Sequence, residues 1–233
     1  TPEGDWSAGL EIVLADGWKT YWRVPGESGV PPVFDWSASR NLEAVTIGWP
    51  APHRFSDAAG ETIGYKDKVV FPLRATPLVA GAPIALDLKL FYAACNDICI
   101  PAEAHLAIEL LPGDQGGVGD AALVREFVDR LPDEPPPGSR PRITRLSVQP
   151  GGAGPHLQVS VDGELEVSAT DIFVEGFDRA YFRRPRLGDD RPLAAAFALP
   201  IDGLNNPAEL RGQTLTVTLV SGDTHIVQEL PVE

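Results

Sequence analysis

The chain has 233 residues, of which 43% are hydrophobic, and a formal net charge of −14 at pH 7. This length allows one large domain or two ordinary domains, and the negative charge disfavours binding to nucleic acid or to anionic lipid surfaces. No apolar run approaches the roughly 18 residues that a membrane helix needs, so we expect a fragment that is itself soluble. The 23 prolines and 23 glycines argue against long helices.

The first half of the chain, residues 1–112, predicts β-structure. Its apolar and aromatic segments are short, and turn residues such as Asp16-Gly17 and Pro31-Pro32 separate them. Short strands at this spacing are typical of a sandwich or barrel, and not of alternating strands and helices. The predicted strands are Leu10–Leu14, Gly17–Arg23, Ala44–Trp49, Lys68–Leu73, Ile84–Tyr92 and His105–Leu111.

One helix is predicted next, with Asp120 as its N-cap. The apolar residues at helical spacing are Val124, Phe127, Val128 and Leu131. The proline-rich segment 132–141 ends this helix and has the composition of a stiff, polar linker.

Residues 142–233 predict a second, smaller β-sandwich. Thr214–Leu219 alternates polar and apolar residues, which indicates one buried and one solvated face. The predicted domains are therefore 1–118, a helix and linker over 119–141, and 142–233. The strands predicted in the second half are Ile143–Val148, Leu157–Val161, Glu164–Val167, Ile172–Val174, Thr214–Val220 and Ile226–Val232.

The only two cysteines, Cys95 and Cys99, stand four residues apart between two predicted strands, at or near the turn of a hairpin. A disulfide that closes so short a loop stabilises a fold by only about 2 kcal/mol. The pair is therefore better explained by its chemistry than by stability. Three roles are compatible with it: a small structural disulfide, a metal site, and a reversible dithiol that exchanges with another protein.

The residues around the two sulfurs do not predict an activated thiol. Asp97 lies between them, and a neighbouring carboxylate tends to raise a thiol pKa, while the loop holds no Lys, Arg or His. We therefore expect a pair that is attacked, or that attacks slowly inside a complex. Because apolar Ile98 and Ile100 flank Cys99, we expect Cys99 to be the more buried sulfur and Cys95 to meet the partner.

The metal alternative has a specific form. Cys-x3-Cys followed by Pro101 is similar to the motif of Sco-type copper chaperones, whose thioredoxin fold places a helix at the cysteines and adds a distant histidine ligand. Here a strand is predicted after Cys99. The candidates for a third ligand are His53, His105, His156 and His225, with His105 the nearest in sequence.

Several segments carry a family resemblance, and most of them lie in the first 110 residues. These are Leu14–Gly26, Val30–Trp36, Trp49–Pro52, Ile63–Leu73 and Tyr92–Ala102, with looser matches at Asp171–Glu175 and Leu215–Leu219. They resemble the periplasmic N-terminal region of DsbD-type transmembrane thiol–disulfide reductases, and most closely its suppressor-for-copper-sensitivity ScsB branch.

The resemblance implies an all-β chain of two immunoglobulin-like β-sandwich domains joined by the short helix and the Pro-rich linker. It implies that Cys95 and Cys99 are the redox pair of a protein-disulfide reductase, acting without a cofactor. The pair would take electrons from a membrane-embedded domain of the same protein. It would pass them to periplasmic thioredoxin-fold proteins, with a role in copper tolerance. A Cu(I)-binding module using the same cysteines, and a structural sandwich with an incidental disulfide, stay open as alternatives.

The resemblance also suggests residues around the disulfide. In DsbD the cysteines are further apart, and a cap loop with an acidic pair and a phenylalanine covers them. The corresponding segment here is Arg54–Tyr65, in which Phe55 and Asp57 are the cap candidates.

Two tyrosines, Tyr65 and Tyr92, are candidate neighbours of the sulfurs, with core packing as the alternative. The turn residues Asn96 and Asp97 are predicted to contact the partner. Five other aromatic residues are predicted to serve in packing: Trp18, Tyr21, Trp22, Phe34 and Trp36.

Overall fold

The computed structural model describes residues 5–57, 60–113, 118–151, 154–191, 193–204 and 206–233, without the side chains of 57, 118–120 and 189–191. The chain divides into two compact units, Thr1–Leu131 and Pro132–Glu233. Each unit is built from antiparallel β-sheets, so the predicted all-β class with two immunoglobulin-like sandwiches is confirmed. Within the described residues, no helix has the length and apolar character needed to cross a bilayer.

The first unit consists of two facing sheets. Its strands are β1 (Trp6–Val13), β2 (Lys19–Gly26), β3 (Val33–Asp35), β4 (Leu42–Ile47), β5 (His53–Asp57), β6 (Gly60–Lys66), β7 (Lys68–Pro77), β8 (Ile84–Cys95) and β9 (Cys99–Leu110). Strands β1, β7 and β4 form one sheet, and the other six form the second sheet.

Strand β8 pairs along both edges in the six-stranded sheet, next to the edge strand β9. One of its edges pairs with β9 along the whole strand, from Ile84 opposite Leu110 to Cys95 opposite Cys99. Its other edge pairs first with β3 and then, at Cys95, with Lys19 of β2. Strands β6 and β5 follow beyond β2. The end of β8 that carries Cys95 is therefore held on both edges.

The core of this unit lies between the two sheets. On β8 every second side chain is buried, as expected for a strand with one face on a core: Ile84, Leu86, Leu88 and Leu90. The Phe71 ring meets three other aromatic rings edge-on, with centroids 5.9 Å from Phe34, 5.1 Å from Trp49 and 5.6 Å from Tyr65. Edge-on contact is a preferred arrangement of aromatic pairs, and Phe34 serves in packing as predicted.

The one α-helix in the described residues, α1 (Val118–Val128), packs on strands of the first unit. Phe127 is 3% exposed. Gly9 of β1 leaves room for Val124, because a Cβ at Gly9 would lie 2.5 Å from the Val124 Cγ2 atom. Asp120 lies inside this helix, so the prediction of Asp120 as N-cap was wrong. Helical spacing located the helix but did not show which sheet it packs on.

The second unit is built in the same way. Its strands are β10 (Arg142–Gln149), β11 (His156–Asp162), β12 (Thr170–Glu175), β13 (Tyr181–Phe182), β14 (Arg186–Arg191), β15 (Ala194–Asp202), β16 (Thr214–Ser221) and β17 (Thr224–Pro231), with short 3-10 helices at Val167–Ala169 and Pro207–Leu210. One sheet contains β10, β11, β15, β13 and β14, and the other contains β12, β16 and β17.

The structure of this unit differs from the sequence prediction in two ways: one predicted strand is absent, and strands β13, β14 and β15 were not predicted. The strand predicted at Glu164–Val167 is absent, and a 3-10 turn follows at Val167–Ala169 instead. Strand β15 was not predicted, although it pairs with β11, β13 and β14. Its buried residues Ala195, Phe197, Leu199 and Ile201 alternate with small side chains and a proline. Successive side chains along β15 therefore differ little in polarity, and the neighbouring strands decide which of them are buried.

Candidate redox site

The two cysteines lie at the tip of the β8–β9 hairpin. Cys95 ends β8 and Cys99 begins β9, so they are directly opposite each other in the antiparallel register. They form a disulfide, with Cα atoms 4.1 Å apart. Residues 96–98 make the turn, in which the Asn96 backbone N–H donates to the Ile98 carbonyl at 3.1 Å.

The two sulfurs differ in exposure, in the opposite sense to the prediction. Cys95 is 1% exposed, whereas Cys99 is an exposed residue. The flanking residues Ile98 and Ile100 are themselves 66% and 44% exposed and do not shield Cys99. Cys95 is buried because β2 pairs with it on the edge opposite β9, whereas β9 pairs only with β8 in the described part of the chain. The expectation that Cys99 is the more buried sulfur was therefore wrong.

A tyrosine hydroxyl contacts both sulfurs. The Tyr21 Oη atom donates a hydrogen bond to Cys95 Sγ at 2.9 Å and lies 3.3 Å from Cys99 Sγ. Tyr21 is 2% exposed and packs with Ala93 and Cys95. Its position follows from β2, since Lys19 pairs with Cys95 and side chains two residues apart share a face of a strand.

Two glycines lie close to Tyr21, Gly29 against its ring and Gly64 against its backbone. A Cβ at Gly29 would lie 2.7 Å from Tyr21 Cδ1 and 2.6 Å from the Pro25 carbonyl oxygen. On the next strand Gly64 pairs with Tyr21, and a Cβ there would lie 1.9 Å from the Thr20 carbonyl oxygen. No side chain fits at either position without movement of its neighbours, so Gly29 allows close packing on the Tyr21 ring and Gly64 allows β6 to lie close to β2.

Lys19 is a buried cation on the same sheet face as the disulfide. It is 6% exposed, and its Nζ atom donates to Thr62 Oγ1 at 2.9 Å. The same Nζ atom lies 5.8 Å from the centroid of the Phe55 ring, which is within cation–π range. Lys19 therefore connects β2 to the β5–β6 hairpin beside the redox pair.

The segment predicted as a cap loop forms the β5–β6 hairpin, and its residues 58 and 59 lie outside the described part of the chain. Phe55 shares a sheet face with the disulfide, but β5 is three strands away from β8, a separation of about 14 Å. Lys66 Nζ lies 5.0 Å from the Phe55 ring centroid. Asp57 ends β5, and its side chain is not among those described. A cap formed by Phe55 and Asp57 stays a prediction.

Of the other predicted neighbours, the two tyrosines lie away from the sulfurs and the two turn residues lie beside them. Tyr65 is a core residue, 4% exposed, whose hydroxyl donates to the Pro50 carbonyl at 2.9 Å. Tyr92 is half-buried and lies on the opposite face of β8 from Cys95, because the two are three residues apart. Asn96 and Asp97 are exposed in the turn beside the sulfurs, as predicted.

The histidines of the first unit lie far from the cysteines. His105 is six residues along β9 from Cys99, a distance of roughly 20 Å, and its Nε2 atom lies 2.7 Å from Asp87 Oδ1. His53 is on β5, three strands from β8. Among the described residues no group of three or more His, Cys, Asp or Glu side chains is arranged to hold a metal ion. A site formed by both cysteines and His105 does not fit this fold.

Tyr21 is the site residue that sequence reasoning did not identify. It was assigned to core packing with the other aromatic residues, because 74 residues separate it from Cys95. No local pattern shows that the edge of β2 reaches the tip of the β8–β9 hairpin. The available signal was the position of Tyr21 in a predicted strand, two residues from a lysine, within a segment that carries the family resemblance.

The comparisons with known proteins agree with this site. Residues 2–110 match the family model described as the N-terminal domain of the thiol:disulfide interchange protein DsbD. Residues 2–110 therefore form a DsbD-type N-terminal domain. This match covers every element of the redox site, and it confirms the resemblance inferred from the sequence.

The whole chain is similar to a solved structure, the N-terminal periplasmic domain of ScsB from Proteus mirabilis. The match has a TM-score of 0.77 and 20% sequence identity, and it covers 100% of this chain and 89% of that one. At this identity the likeness shows the fold. Residues 131–233 match a family described only as a domain of unknown function (DUF8393). No curated protein matches the chain.

Proposed function

We propose that the DsbD-type domain relays electrons by thiol–disulfide exchange through Cys95 and Cys99. It would accept two electrons from a membrane-embedded domain of a larger protein-disulfide reductase and pass them to thioredoxin-fold partners. The observation that carries this proposal is a disulfide at a hairpin tip with one exposed and one buried sulfur, within a domain of the DsbD N-terminal family. An exposed sulfur gives access to a partner, and a buried one disfavours reaction with solvent thiols.

In the reducing half-reaction a thiolate of the electron donor attacks Cys99 Sγ. The Cys95–Cys99 bond breaks as the new disulfide with Cys99 forms, and the electron pair of the broken bond leaves on Cys95 Sγ as a thiolate. The donor's second thiolate then attacks the donor sulfur of the mixed disulfide and releases Cys99. The donor ends as a disulfide and the domain as a dithiol, after transfer of two electrons.

In the oxidising half-reaction the exposed Cys99 thiolate attacks the disulfide of a thioredoxin-fold acceptor. Cys95 then attacks Cys99 Sγ in the mixed disulfide, which reforms the Cys95–Cys99 bond and releases the acceptor as a dithiol. Cys99 is thus the sulfur bonded to the partner in both directions, and Cys95 is the leaving or resolving sulfur. Neither half-reaction uses a cofactor.

A periplasmic location is proposed with this function. The similar Proteus mirabilis protein is described as a periplasmic domain, and an oxidising compartment is where a disulfide persists between reactions. A role in copper tolerance rests on the sequence resemblance and stays a prediction.

The reduction potential of the purified protein tests the proposal. Equilibration with glutathione buffers, read by alkylation and mass spectrometry, is expected to give a value of roughly −120 to −270 mV, the range of exchange proteins. The reduced protein is also expected to reduce an oxidised thioredoxin-fold protein stoichiometrically. A potential well below about −300 mV would place the bond with structural disulfides and contradict the relay function.

A further inference from the structure

We propose that Tyr21 is a catalytic residue of this exchange reaction, whose hydroxyl stabilises the Cys95 thiolate when the Cys95–Cys99 bond opens. The inference rests on the proposed function and assigns a role to a residue that family membership alone does not assign. It follows from the position of one phenol group against both reacting sulfurs.

The geometry places the donor where the charge develops. Tyr21 Oη lies 2.9 Å from Cys95 Sγ and 3.3 Å from Cys99 Sγ while the disulfide is intact. Tyr21 and Cys95 are 2% and 1% exposed, so few water molecules can reach the Cys95 sulfur. A hydrogen-bond donor already in place stabilises a developing charge without reorganisation during the reaction.

The chemistry of the leaving sulfur requires such a donor. Burial disfavours a thiolate and raises the pKa of its thiol, and a thiol of higher pKa leaves more slowly from a disulfide. When a partner thiolate attacks Cys99 Sγ, the electron pair of the broken bond passes to Cys95 Sγ. The Tyr21 O–H group can then donate fully to that thiolate, since Cys99 Sγ is bonded to the partner.

The charged groups around the pair do not replace this contact. Lys19 and Lys66 share the sheet face of the disulfide, but Lys19 Nζ is directed to Thr62 Oγ1 at 2.9 Å, and Lys66 Nζ lies over the Phe55 ring. Asp97, in the exposed turn, is negatively charged and would destabilise a thiolate. Among the contacts described for Cys95, the Tyr21 hydroxyl is the hydrogen-bond donor to the leaving sulfur.

Tyr21→Phe tests the inference, because it removes the hydroxyl and keeps the ring. The matched control is Tyr65→Phe, which removes a buried tyrosine hydroxyl that contacts a carbonyl instead of sulfur. Tyr21→Phe is expected to slow reduction of the disulfide by dithiothreitol about 10-fold, since the Cys95 thiolate loses a hydrogen bond that is stronger for a charged acceptor than for a neutral one. Tyr65→Phe is expected to leave this rate within about twofold of the unmodified protein.

A second readout separates catalysis from a merely structural role. In the Cys99→Ala background Cys95 is the only thiol, and its thiolate absorbance at 240 nm is followed against pH below the range in which tyrosine ionises. Adding Tyr21→Phe is expected to raise the pKa of the Cys95 thiol, and adding Tyr65→Phe is expected to leave it unchanged. An unchanged Cys95 pKa and an unchanged reduction rate in Tyr21→Phe would overturn the inference.

The test of Tyr21 and the test of the relay function can fail separately. If the unmodified protein does not exchange with any thioredoxin-fold dithiol, the proposed function fails. An effect of Tyr21→Phe on the rate of reduction by dithiothreitol would still support the role of Tyr21 at the sulfurs. Should Tyr21→Phe not fold, site-specific 3-fluorotyrosine at position 21 keeps the shape and strengthens the O–H donor. That substitution is expected to lower the Cys95 pKa, and the absence of any change would overturn the inference.

Discussion

At the scale of single residues, the two cysteines have the same chemistry but different surroundings. Cys95 is enclosed by β2, β9 and the Tyr21 ring, whereas Cys99 begins a strand that is exposed over most of its length. Access is one of the factors that set the rate of thiol–disulfide exchange. From this asymmetry we expect the first contact with a partner to be made by Cys99.

Single-cysteine variants are expected to show directly that Cys99 reacts with a partner faster than Cys95. The probe is a thioredoxin-fold protein with one cysteine, activated as its mixed disulfide with thionitrobenzoate. Reduced Cys95→Ala is expected to displace thionitrobenzoate and form a covalent complex through Cys99. Cys99→Ala is expected to react at least about 10-fold more slowly, because its remaining thiol is buried. Absorbance at 412 nm measures the release of thionitrobenzoate by each variant, and non-reducing gels measure the covalent complex. Faster reaction of Cys99→Ala would contradict first contact at Cys99.

At the scale of elements, the β8–β9 hairpin holds the site, and we expect the hairpin to form without the disulfide. Strands β8 and β9 pair through twelve cross-strand positions, of which Cys95–Cys99 is the last. A crosslink between residues already adjacent at a turn restricts the unfolded chain little. The strands themselves set the position of the two sulfurs.

Replacing both cysteines by serine is expected to test this view. Cys95→Ser with Cys99→Ser should lower the free energy of unfolding by about 2 kcal/mol or less, because the closed loop is short. Urea unfolding of the oxidised protein and of the double variant measures the difference. A double variant that fails to fold would show that the bond is a structural staple.

The turn of the hairpin carries exposed apolar side chains next to Cys99. Ile98 is 66% exposed, and apolar residues at this position suit a protein partner better than solvent. Ile98→Ser is therefore expected to slow exchange with a thioredoxin-fold protein several-fold and to leave reduction by dithiothreitol unchanged.

Ile108 provides the matched control for this substitution. It is 58% exposed, lies on β9 and is nine residues along the chain from Cys99. Ile108→Ser should change neither the rate of exchange with a thioredoxin-fold protein nor the rate of reduction by dithiothreitol. Stopped-flow fluorescence measures both rates. Equal effects of the two substitutions on partner exchange would argue against contact at the turn.

At the scale of the whole molecule, the chain is two units with separate cores. The first unit ends at Leu131 and includes α1. The helix contributes Phe127 to the packing of this unit, and the Arg130 carbonyl accepts a hydrogen bond from the Ala51 backbone N–H at 2.8 Å. The elements that form the redox site all belong to the first unit.

A fragment of residues 1–131 is expected to fold and to keep the exchange kinetics of the full chain. A fragment of residues 1–118 should be less stable by on the order of 3 kcal/mol, because it loses the buried contacts of α1. Within the full chain, Phe127→Ala should lower stability, while Val128→Ala, at a residue 44% exposed, should change it little. Equal stability of the two fragments in urea would show that α1 is dispensable.

The sequence by itself determined the fold class, most strands of both halves, the helix and the redox pair. Alternation along segments such as Thr214–Leu219 is a local property of a half-buried strand, and the spacing of Cys95 and Cys99 already places them at a turn. Residues 54–65 were predicted as a loop and form two strands, because their pairing partner is the edge of β2. A pattern read along the chain does not contain such partners.

Only the tertiary structure decided which sulfur is exposed and which side chain contacts it. Flanking residues suggested that Cys99 is buried, but burial depends on what lies across the sheet, and β2 covers Cys95 instead. Tyr21 reaches the sulfurs from 74 residues away, through the register of β2 against β8. Chemistry that depends on residue type and short spacing is visible in the sequence. Access and hydrogen bonding at the sulfurs arise from long-range pairing, which exists only in the folded chain.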